Sequence, residues 1–294
     1  MEKLNQTLGD KFFFKVKWEE IIPANATSED IKSILNTLNE SSKFFARTYV
    51  NEQNYGKNIQ WASKMNDISN GAEYLISQGK DFDSVLSYIA GEYHAYDEST
   101  TLATNHSKLN DRRLASGKYR GDDIPNGYYT TSFDNIDNYS EYFDRFARQN
   151  GVRKAPYDDI ELTQILYNKH VGDGSSGTMY HPANKYVEPG LNHVRERYNE
   201  LQPLFDKVKN GQKLSKQDIN YANEKIAEIY FLMANVMPYE RGSNGISDIL
   251  MRSIYKGLGI EQPALKHGVS LDLEAFCMDL NEYKKKWNCF FENN

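Results

Sequence analysis

The stretch "FLMANVMPYERGSNGISDILMRSIYKGLGI", residues 231–260, decides the fold. Apolar side chains recur at helical spacing on both sides of "MPYERGSNG", residues 237–245, so the sequence predicts two core helices joined by a turn. Pro238 cannot continue a helix, and we expect the first helix to end near Met237, with that side chain buried in its last turn. The second helix is expected to begin at Ile246. The turn between them carries two glycines, a serine, an asparagine and an arginine, and its purpose is the question that the sequence raises.

Helical spacing also dominates the rest of the chain, which predicts a mainly α fold, a multi-helix domain with minor β structure. The expected helices lie at about 28–46, 61–76, 82–89, 136–149, 157–169, 191–205, 215–237, 246–258 and 270–287. Ser215 is the predicted N-cap of the longest of them. A strand is predicted at 11–18, a long loop or short hairpin at 100–135, and a second long loop at 172–190. A soft boundary near residue 100 divides an N-terminal helical region, residues 1–100, from a helical core, residues 101–294, although a single domain is the alternative.

Composition excludes several classes of protein. The 294 residues include 13% aromatic side chains, which are scarce in disordered chains. A formal net charge of −6 argues against nucleic acid as a partner, because phosphate neutralisation requires a basic face. No stretch approaches ~18 consecutive apolar residues, so we expect no membrane span. The two cysteines, Cys277 and Cys289, form no CxxC pair, and no His/Cys spacing fits a structural zinc site, so no structural metal is expected.

The turn itself has the composition of an anion site. Gly242 and Gly245 permit a close approach of a ligand to the main chain. The helix that follows would direct its free N–H groups and the positive end of its dipole into the turn, an arrangement that suits phosphate. Arg241 could add a bidentate contact to the same anion. An ordinary helix–helix connection, with Arg241 on the surface, is the alternative interpretation.

The segment "MPYERGSNGISDILMRSIYKGLGI" resembles the active-site segment of Fic proteins, within the wider Fic/Doc/AvrB group of bacterial effectors and toxins. That family has the pattern His-Pro-Phe-x-x-Gly-Asn-Gly-x-x-Arg between two helices. Pro238 and Tyr239 are similar to its Pro-Phe, and Gly242 matches its first glycine. Asn244 and Gly245 match Asn-Gly if Ser243 is an insertion. Upstream, "SGKYRGDDI", residues 116–124, resembles the Fic flap, which clamps the target.

Two positions depart from the family pattern and make the motif degenerate. Met237 stands in place of the catalytic histidine, and Asp248 stands in place of the terminal arginine. A thioether cannot accept a proton from an attacking hydroxyl, so the ordinary Fic mechanism is lost or its base comes from elsewhere. AvrB-type members lack the Fic motif and share the fold, so the resemblance still implies a Fic-like domain.

His94 and Glu98, in "EYHAYDEST", are the candidate base and its orienting partner. Side chains four residues apart lie on the same face of a helix, and a His-x-x-x-Glu pair can perform acid–base work or bind a metal. A routine contact on a surface helix is the alternative. A second group, in which Lys118 and Arg120 accompany Arg112 and Arg113, could grip a nucleotide or an acidic partner, and a solvated loop is its alternative.

These features together predict a bacterial effector or toxin that transfers a nucleotidyl group, such as AMP, to a protein hydroxyl. ATP or another nucleotide, possibly with Mg²⁺, is the expected ligand, and a host protein is the expected target or activator. The predicted ligand-binding residues are Arg241, Gly242, Ser243, Asn244, Gly245, Lys118 and Arg120. A non-enzymatic scaffold that binds a host protein and a transferase of a sugar or ADP-ribose are the alternatives. The N-terminus has no signal-peptide pattern, so we expect synthesis in a bacterial cytoplasm and export into a host cell without a cleavable signal.

Overall fold

The computed structural model describes residues 45, 55–99, 129–133, 145, 153–168, 176–239, 242–266 and 269–292. Within these ranges the α helices are α1 (Tyr55–Ser77), α2 (Phe82–Ser99), α3 (Val187–Glu200), α4 (Gln202–Lys209), α5 (Lys216–Val236), α6 (Ser243–Gly257), α7 (Leu271–Cys277) and α8 (Leu280–Lys286). Short 3-10 helices span Asn184–Tyr186 and Trp287–Phe290. The strands are β1 (Tyr129–Phe133), β2 (Gln164–Asn168) and β3 (Ser176–His181). The prediction of a mainly α fold with minor β structure is confirmed. Apart from residues 45 and 145, the strand expected at 11–18 and the helices expected at 28–46 and 136–149 lie outside the described residues.

Helix α5 forms the centre of the described part of the chain. Every residue from Ile226 to Val236 is buried, so this half of the helix has no solvent face. A helix that is buried on all sides needs neighbours all round, and α3, α6, α7 and α8 supply them. Ser215 begins α5 as predicted, because its side chain accepts a hydrogen bond from the N–H of Asp218 in a capping box.

Helices α1 and α2 pack on the outer side of α6. The apolar stripe of α1, with Met65, Ile68 and Ala72, is buried in the same core as Ile249 and Ile254 of α6. The helices predicted from Trp61 and from Phe82 are therefore confirmed. The domain boundary near residue 100 stays a prediction.

Two local predictions on the N-terminal side of α3 are wrong. The segment 157–168 has a turn at 158–159 and ends in β2 rather than forming a helix, and the expected loop at 172–190 contains β3 and the beginning of α3. The three strands form one antiparallel sheet with β3 in the middle, where Tyr129 pairs with His181 and Gln164 pairs with Tyr180. These strands are short, and their pairing depends on distant partners, which helical spacing within one segment cannot reveal.

A buried polar network holds the chain before β2 against α5. The carboxamide oxygen of Asn235, on α5, accepts hydrogen bonds from the Thr163 N–H at 3.2 Å and from the Arg153 guanidinium at 3.1 Å. The Thr163 hydroxyl donates to the Asn235 carbonyl at 2.9 Å, and Arg153 also donates to the carbonyl of Ala275, on α7, at 2.6 Å. Because these contacts satisfy polar groups inside the core, they hold the two ends of the segment 153–163 against α5.

Two predicted helices are divided in the structure. The helix expected at 191–205 begins earlier, at Val187, and it breaks at Leu201, after which Pro203 lies in the first turn of α4. The helix expected at 270–287 breaks at Met278, whose φ of −145° and ψ of 165° are extended. Asp279 then caps α8 by accepting a hydrogen bond from the N–H of Glu282 at 2.9 Å. Prolines and short polar side chains at helix starts explain both divisions.

Close packing of α3 on α5 gives the first prediction. A Cβ atom built at Gly190 would lie 2.3 Å from Cγ2 of Val236, so Gly190→Ala must push the two helices apart. We expect the free energy of unfolding to fall by about 1–3 kcal/mol, measured by urea denaturation. The matched control is Gly91→Ala in α2, where no atom of the described residues lies within 4 Å of the added Cβ. There the helix propensity of alanine should raise stability by about 0.5–1 kcal/mol. Equal changes at both glycines would contradict the packing argument.

Candidate functional site

The turn after α5 begins with a residue in a left-handed conformation. Helix α5 ends at Val236, and Met237 follows with φ 48° and ψ 63°. The Met237 N–H donates to the carbonyl of Met233 at 3.1 Å. Met237 is half-buried rather than buried in a last helical turn, so that expectation is corrected. The helix does end before Pro238 as predicted, because the residue before a proline is disfavoured in the helical region.

Ser243 closes the turn through its side chain. Its Oγ accepts a hydrogen bond from the N–H of Tyr239 at 2.9 Å and donates one to the Tyr239 carbonyl at 3.0 Å. Ser243 is also the first residue of α6, which therefore begins three residues before the predicted start at Ile246. The Ser243 hydroxyl is thus committed to the backbone of the turn, and what remains of this residue for a ligand is its N–H group in the first turn of α6.

The two glycines of the turn make room for the ring of Tyr93. A Cβ atom at Gly242 would lie 2.4 Å from Cε1 of Tyr93, and one at Gly245 would lie 2.7 Å from Cε2 of the same ring. Gly242 also has a φ of 75°, which favours glycine. Both glycines therefore have a packing role, in addition to the ligand contact that the sequence predicts for them.

His94 lies beside the same turn. Its ring meets the ring of Tyr239 edge to face, with 5.6 Å between centroids, and it lies next to Tyr93 in α2. His94 is 8% exposed. The structure therefore brings together two groups that the sequence treats as separate sites. Glu98 belongs to α2, one turn beyond His94, and its side chain lies outside what the structure describes.

Asn244 is held from inside the core. The hydroxyl of Tyr230, on α5, lies 2.9 Å from Oδ1 of Asn244 and 2.7 Å from Oδ1 of Asp248. A phenol has one hydrogen and cannot donate to two acceptors at once. A protonated Asp248 that donates to Tyr230 resolves the conflict, because the Tyr230 hydrogen is then available to Asn244.

Burial favours this protonated form of Asp248. The side chain is 1% exposed, and its removal from water raises the pKa of the carboxyl well above the usual range. Burial is the largest effect; the contact with the Tyr230 hydroxyl and the guanidinium of Arg252 lower that pKa, and the nearby carboxylate of Asp272 raises it. Position 248 is therefore occupied by a buried acid for which burial favours the neutral form.

The remaining predicted ligand residues lie outside the described part of the chain, namely Arg241, Lys118 and Arg120. No sequence motif predicted a role for Tyr93 or Tyr230. The cluster of aromatic residues around His94 in "EYHAY" was an available signal for Tyr93. Nothing local marks Tyr230, because its partners lie 14 and 18 residues away.

Among the described residues, no group of three or more His, Cys, Asp and Glu side chains is arranged to hold a metal ion. The binding of a phosphate-bearing ligand by the turn stays a prediction. No helix in the described ranges is both long enough and apolar enough to cross a membrane.

The neutral state of Asp248 gives the second prediction. Because the folded pKa lies above the unfolded value near 3.8, the folded protein binds an extra proton, and stability falls as pH rises above that value. Asp248→Asn keeps a donor toward Tyr230 and does not titrate. We expect the variant to gain about 1.4 kcal/mol over the parent per pH unit above the unfolded pKa, for as long as Asp248 stays neutral in the folded protein. Urea denaturation from pH 4 to pH 8 measures this gap, and a gap independent of pH would mean that Asp248 is ionised.

The similarity of this chain to known proteins lies in its second half. No curated protein matches the chain. One family model does match, over residues 153–294, which include the turn and helices α3–α8 but not His94 or Tyr93. The reading of residues 237–248 as a degenerate Fic motif stays a prediction. The matched model is that of the AvrB_AvrC family of avirulence proteins, which are AvrB-like bacterial effectors, and the match supports an effector role for this chain.

Proposed function

We propose that this protein is an effector that acts inside a host cell, where it binds a nucleotide at the turn 238–245 and transfers a nucleotidyl group to a hydroxyl of a host protein. The observation that carries the proposal is the contact between His94 and the turn, with 5.6 Å between the rings of His94 and Tyr239. A proton acceptor and a phosphate site must be neighbours for such a transfer. The match to an avirulence family supports delivery into a host.

The roles of the residues follow from their chemistry. The N–H groups of residues 243–245 and the positive end of the α6 dipole would bind the phosphates. Arg241 would supply a positive charge to the phosphates. A neutral Asp248 would place no negative charge near them to offset it. With Tyr230 directed at its Oδ1, Asn244 keeps the Nδ2 donors for the ligand. Lys118 and Arg120 would approach from the flap-like segment.

The transfer itself would use His94 as the base. The host hydroxyl would lose its proton to His94 while its oxygen bonds to the α-phosphorus, and pyrophosphate would leave with the bonding electrons. Glu98 would orient His94. A bound Mg²⁺ would offset the charge of the phosphates.

A non-enzymatic scaffold is the second candidate, and one observation favours it. The ring of Tyr93 covers Gly242 and Gly245, the positions where a close approach of phosphate would otherwise occur. In that case the turn serves packing, and the effector acts by binding a host protein. Transfer of a sugar or ADP-ribose would use the same turn with a different donor, because each donor also carries a diphosphate.

The third prediction tests His94. In a host lysate supplied with α-labelled nucleoside triphosphates, NAD or nucleotide sugars in separate reactions, the parent protein should label a host protein from one donor. His94→Ala should reduce that labelling roughly 100- to 10,000-fold, because general base catalysis contributes about this much. The matched control is His193→Ala, which removes a histidine of α3 whose Nε2 lies 2.7 Å from Oδ1 of Asp159. Thermal melts of both variants separate loss of chemistry from loss of fold.

Each outcome of that experiment is decisive. Labelling by His94→Ala at the parent rate would remove His94 from the mechanism. An absence of labelling from every donor would favour the scaffold. Labelling only from a nucleotide sugar or NAD would retain the site and change the transferred group.

The fourth prediction concerns Arg241. Arg241→Ala should weaken ATP binding about 10- to 150-fold, because a charge-assisted hydrogen bond to phosphate contributes roughly 1.5–3 kcal/mol. Arg241→Lys should recover part of this, since lysine keeps the charge without the planar fork. The control is Lys213→Ala, which removes an exposed positive charge near the other end of α5, roughly 30 Å along the helix. Calorimetry with ATP measures the affinities. A large fall in melting temperature for Arg241→Ala, without ATP binding to the parent, would make the arginine structural.

A further inference from the structure

The amine of Lys256, on α6, lies between two carboxamides of α1. Its Nζ is 2.9 Å from Oδ1 of Asn66 and 2.6 Å from Oδ1 of Asn70. Within the described ranges Lys256 forms no ion pair. By contrast, the Nζ of Lys225, on α5, lies 2.6 Å from a carboxylate oxygen of Glu200. Lys256 is therefore a half-buried lysine whose hydrogen-bond partners are neutral.

Two acceptors match the hydrogens of a neutral amine. A charged ammonium has three N–H donors, and the third would have no partner among the described residues. A neutral amine has two hydrogens, and Asn66 and Asn70 can accept both of them. Its lone pair then points away from the two carboxamides. The contacts of Lys256 therefore suit the neutral form, which is the nucleophilic form of a lysine.

Burial and the charges on both helices act on this amine. The pKa of Lys256 is lowered to about 7. Burial is the largest cause and the guanidinium of Arg252 acts in the same direction, while the carboxylates of Glu73 and Asp67 raise the pKa. At pH 7 about half of the Lys256 amines are then neutral, against roughly one in 2,500 for a lysine with the usual pKa near 10.4.

Lys256 also lines a small pocket between α1, α4 and α6. The pocket has a volume of about 220 Å³, below the roughly 300–1,000 Å³ that is typical of sites for drug-sized ligands. Its α1 wall begins at Glu73, one turn after Asn70, so the amine lies at that end of the pocket. Lys256 follows Ser243 by thirteen residues, which places the pocket roughly 20 Å along α6 from the turn. The pocket is thus separate from the candidate site and suits a ligand of few atoms.

The charges of the lining favour a neutral electrophile. With Lys256 neutral, the charged side chains of the pocket are the carboxylates of Glu73 and Asp206 and the ammonium of Lys209, two negative charges and one positive. Acyl phosphates and other anionic donors are therefore disfavoured. Carbon dioxide is neutral, but it would convert the amine into an anionic carbamate near Glu73. An aldehyde enters as a neutral molecule, and the protonated imine that it forms keeps a positive charge at this place.

We propose that the pocket between α1, α4 and α6 binds a small, neutral aldehyde as an imine with Lys256. The lone pair of Nζ would bond to the carbonyl carbon. Both amine hydrogens would leave with the carbonyl oxygen as water, and the imine nitrogen would take up a proton from solvent. The resulting N–H would donate to one of the two carboxamides, and the carboxylates of Glu73 and Asp67 would stabilise the positive charge.

The test uses the whole chain, propanal as the probe and sodium cyanoborohydride, which reduces an imine to a stable secondary amine. Peptide mass spectrometry then gives the modified fraction at each lysine. At pH 7 we expect Lys256 to react at least about tenfold faster than the exposed Lys213 and the carboxylate-paired Lys225. Above pH 7 the ratio of Lys256 to Lys213 modification should fall about tenfold per pH unit, because an exposed lysine continues to lose its proton after Lys256 is neutral.

A second probe tests the charge of the pocket. Glyoxylate is an aldehyde that carries a carboxylate. The ratio of Lys256 to Lys213 modification should be lower with glyoxylate than with propanal, because the carboxylates of Glu73 and Asp206 oppose its entry. The comparison uses ratios within one reaction, so the greater intrinsic reactivity of glyoxylate cancels.

A variant of the same shape tests the role of the carboxamides. Asn70→Asp places a carboxylate beside the amine, which favours the charged form and raises the pKa of the lysine by roughly 1–3 units. The ratio of Lys256 to Lys213 modification at pH 7 should therefore fall about 10- to 1,000-fold. The matched control is Asn199→Asp, on the exposed face of α3, which should leave the ratio unchanged. Thermal melts establish that both variants are folded.

Three results would overturn the proposal. These are equal modification of Lys256 and Lys213 by propanal, a higher ratio with glyoxylate than with propanal, and an unchanged ratio in a folded Asn70→Asp variant. Because propanal carries no phosphate and the pocket is remote from the turn, the outcome is independent of the proposed nucleotide chemistry.

Discussion

Burial of the second half of α5 is the constraint on which the described structure depends. Eleven consecutive residues, from Ile226 to Val236, have no solvent face, and two of them are polar. Glu228 meets the hydroxyl of Tyr157 and lies near Arg197 and Lys284. Asn235 receives the Thr163 and Arg153 hydrogen bonds. A buried polar group without partners is costly, so these two side chains determine which segments must pack on α5.

The buried end of α5 fixes the point at which the turn begins. Asn235 and Val236 are fixed in the core, so Met237 has to leave the helix at a defined point, and it does so in a left-handed conformation that ordinary side chains adopt at a cost of roughly 1–3 kcal/mol. The Ser243 hydroxyl then holds both backbone groups of Tyr239, and the ring of Tyr93 presses on the glycines. These contacts fix the described residues of the turn, and groups that are fixed in advance lower the entropic cost of binding a ligand.

Sequence patterns predict the elements that are determined locally. The Ser215 cap, the long apolar run of α5 and the stripe of α1 are each contained in one segment, and each is found in the structure. The strands at 164–168 and 176–181 were missed because their hydrogen bonds come from chain segments far away in sequence. The break at Met278 was missed for a similar reason, since apolar spacing continues across it and only the cap at Asp279 marks a new helix.

The candidate site also has features that the sequence predicts and features that depend on packing between distant segments. The composition of the turn, with Asn244 in it, is a sequence feature, and His94 was identified by its chemistry. That His94 adjoins the turn depends on the packing of α2 against α6, which no motif encodes. The glycines had two explanations in the sequence, ligand approach and tight packing, and the position of Tyr93 establishes the packing role without testing the other.

Asp248 shows how one substitution changes the electrostatics of such a site. An arginine at this place, as in the pattern that the turn resembles, would add a positive charge one helical turn below Asn244. A neutral aspartic acid adds none, yet it satisfies Tyr230 and so fixes the Asn244 carboxamide. An ionised Asp248 would place a negative charge behind the N–H groups that are proposed to bind phosphate, and would oppose the dipole of α6. Burial therefore has two effects at this residue: it favours the protonated carboxyl, and in that form the carboxyl adds no negative charge behind the N–H groups of the turn.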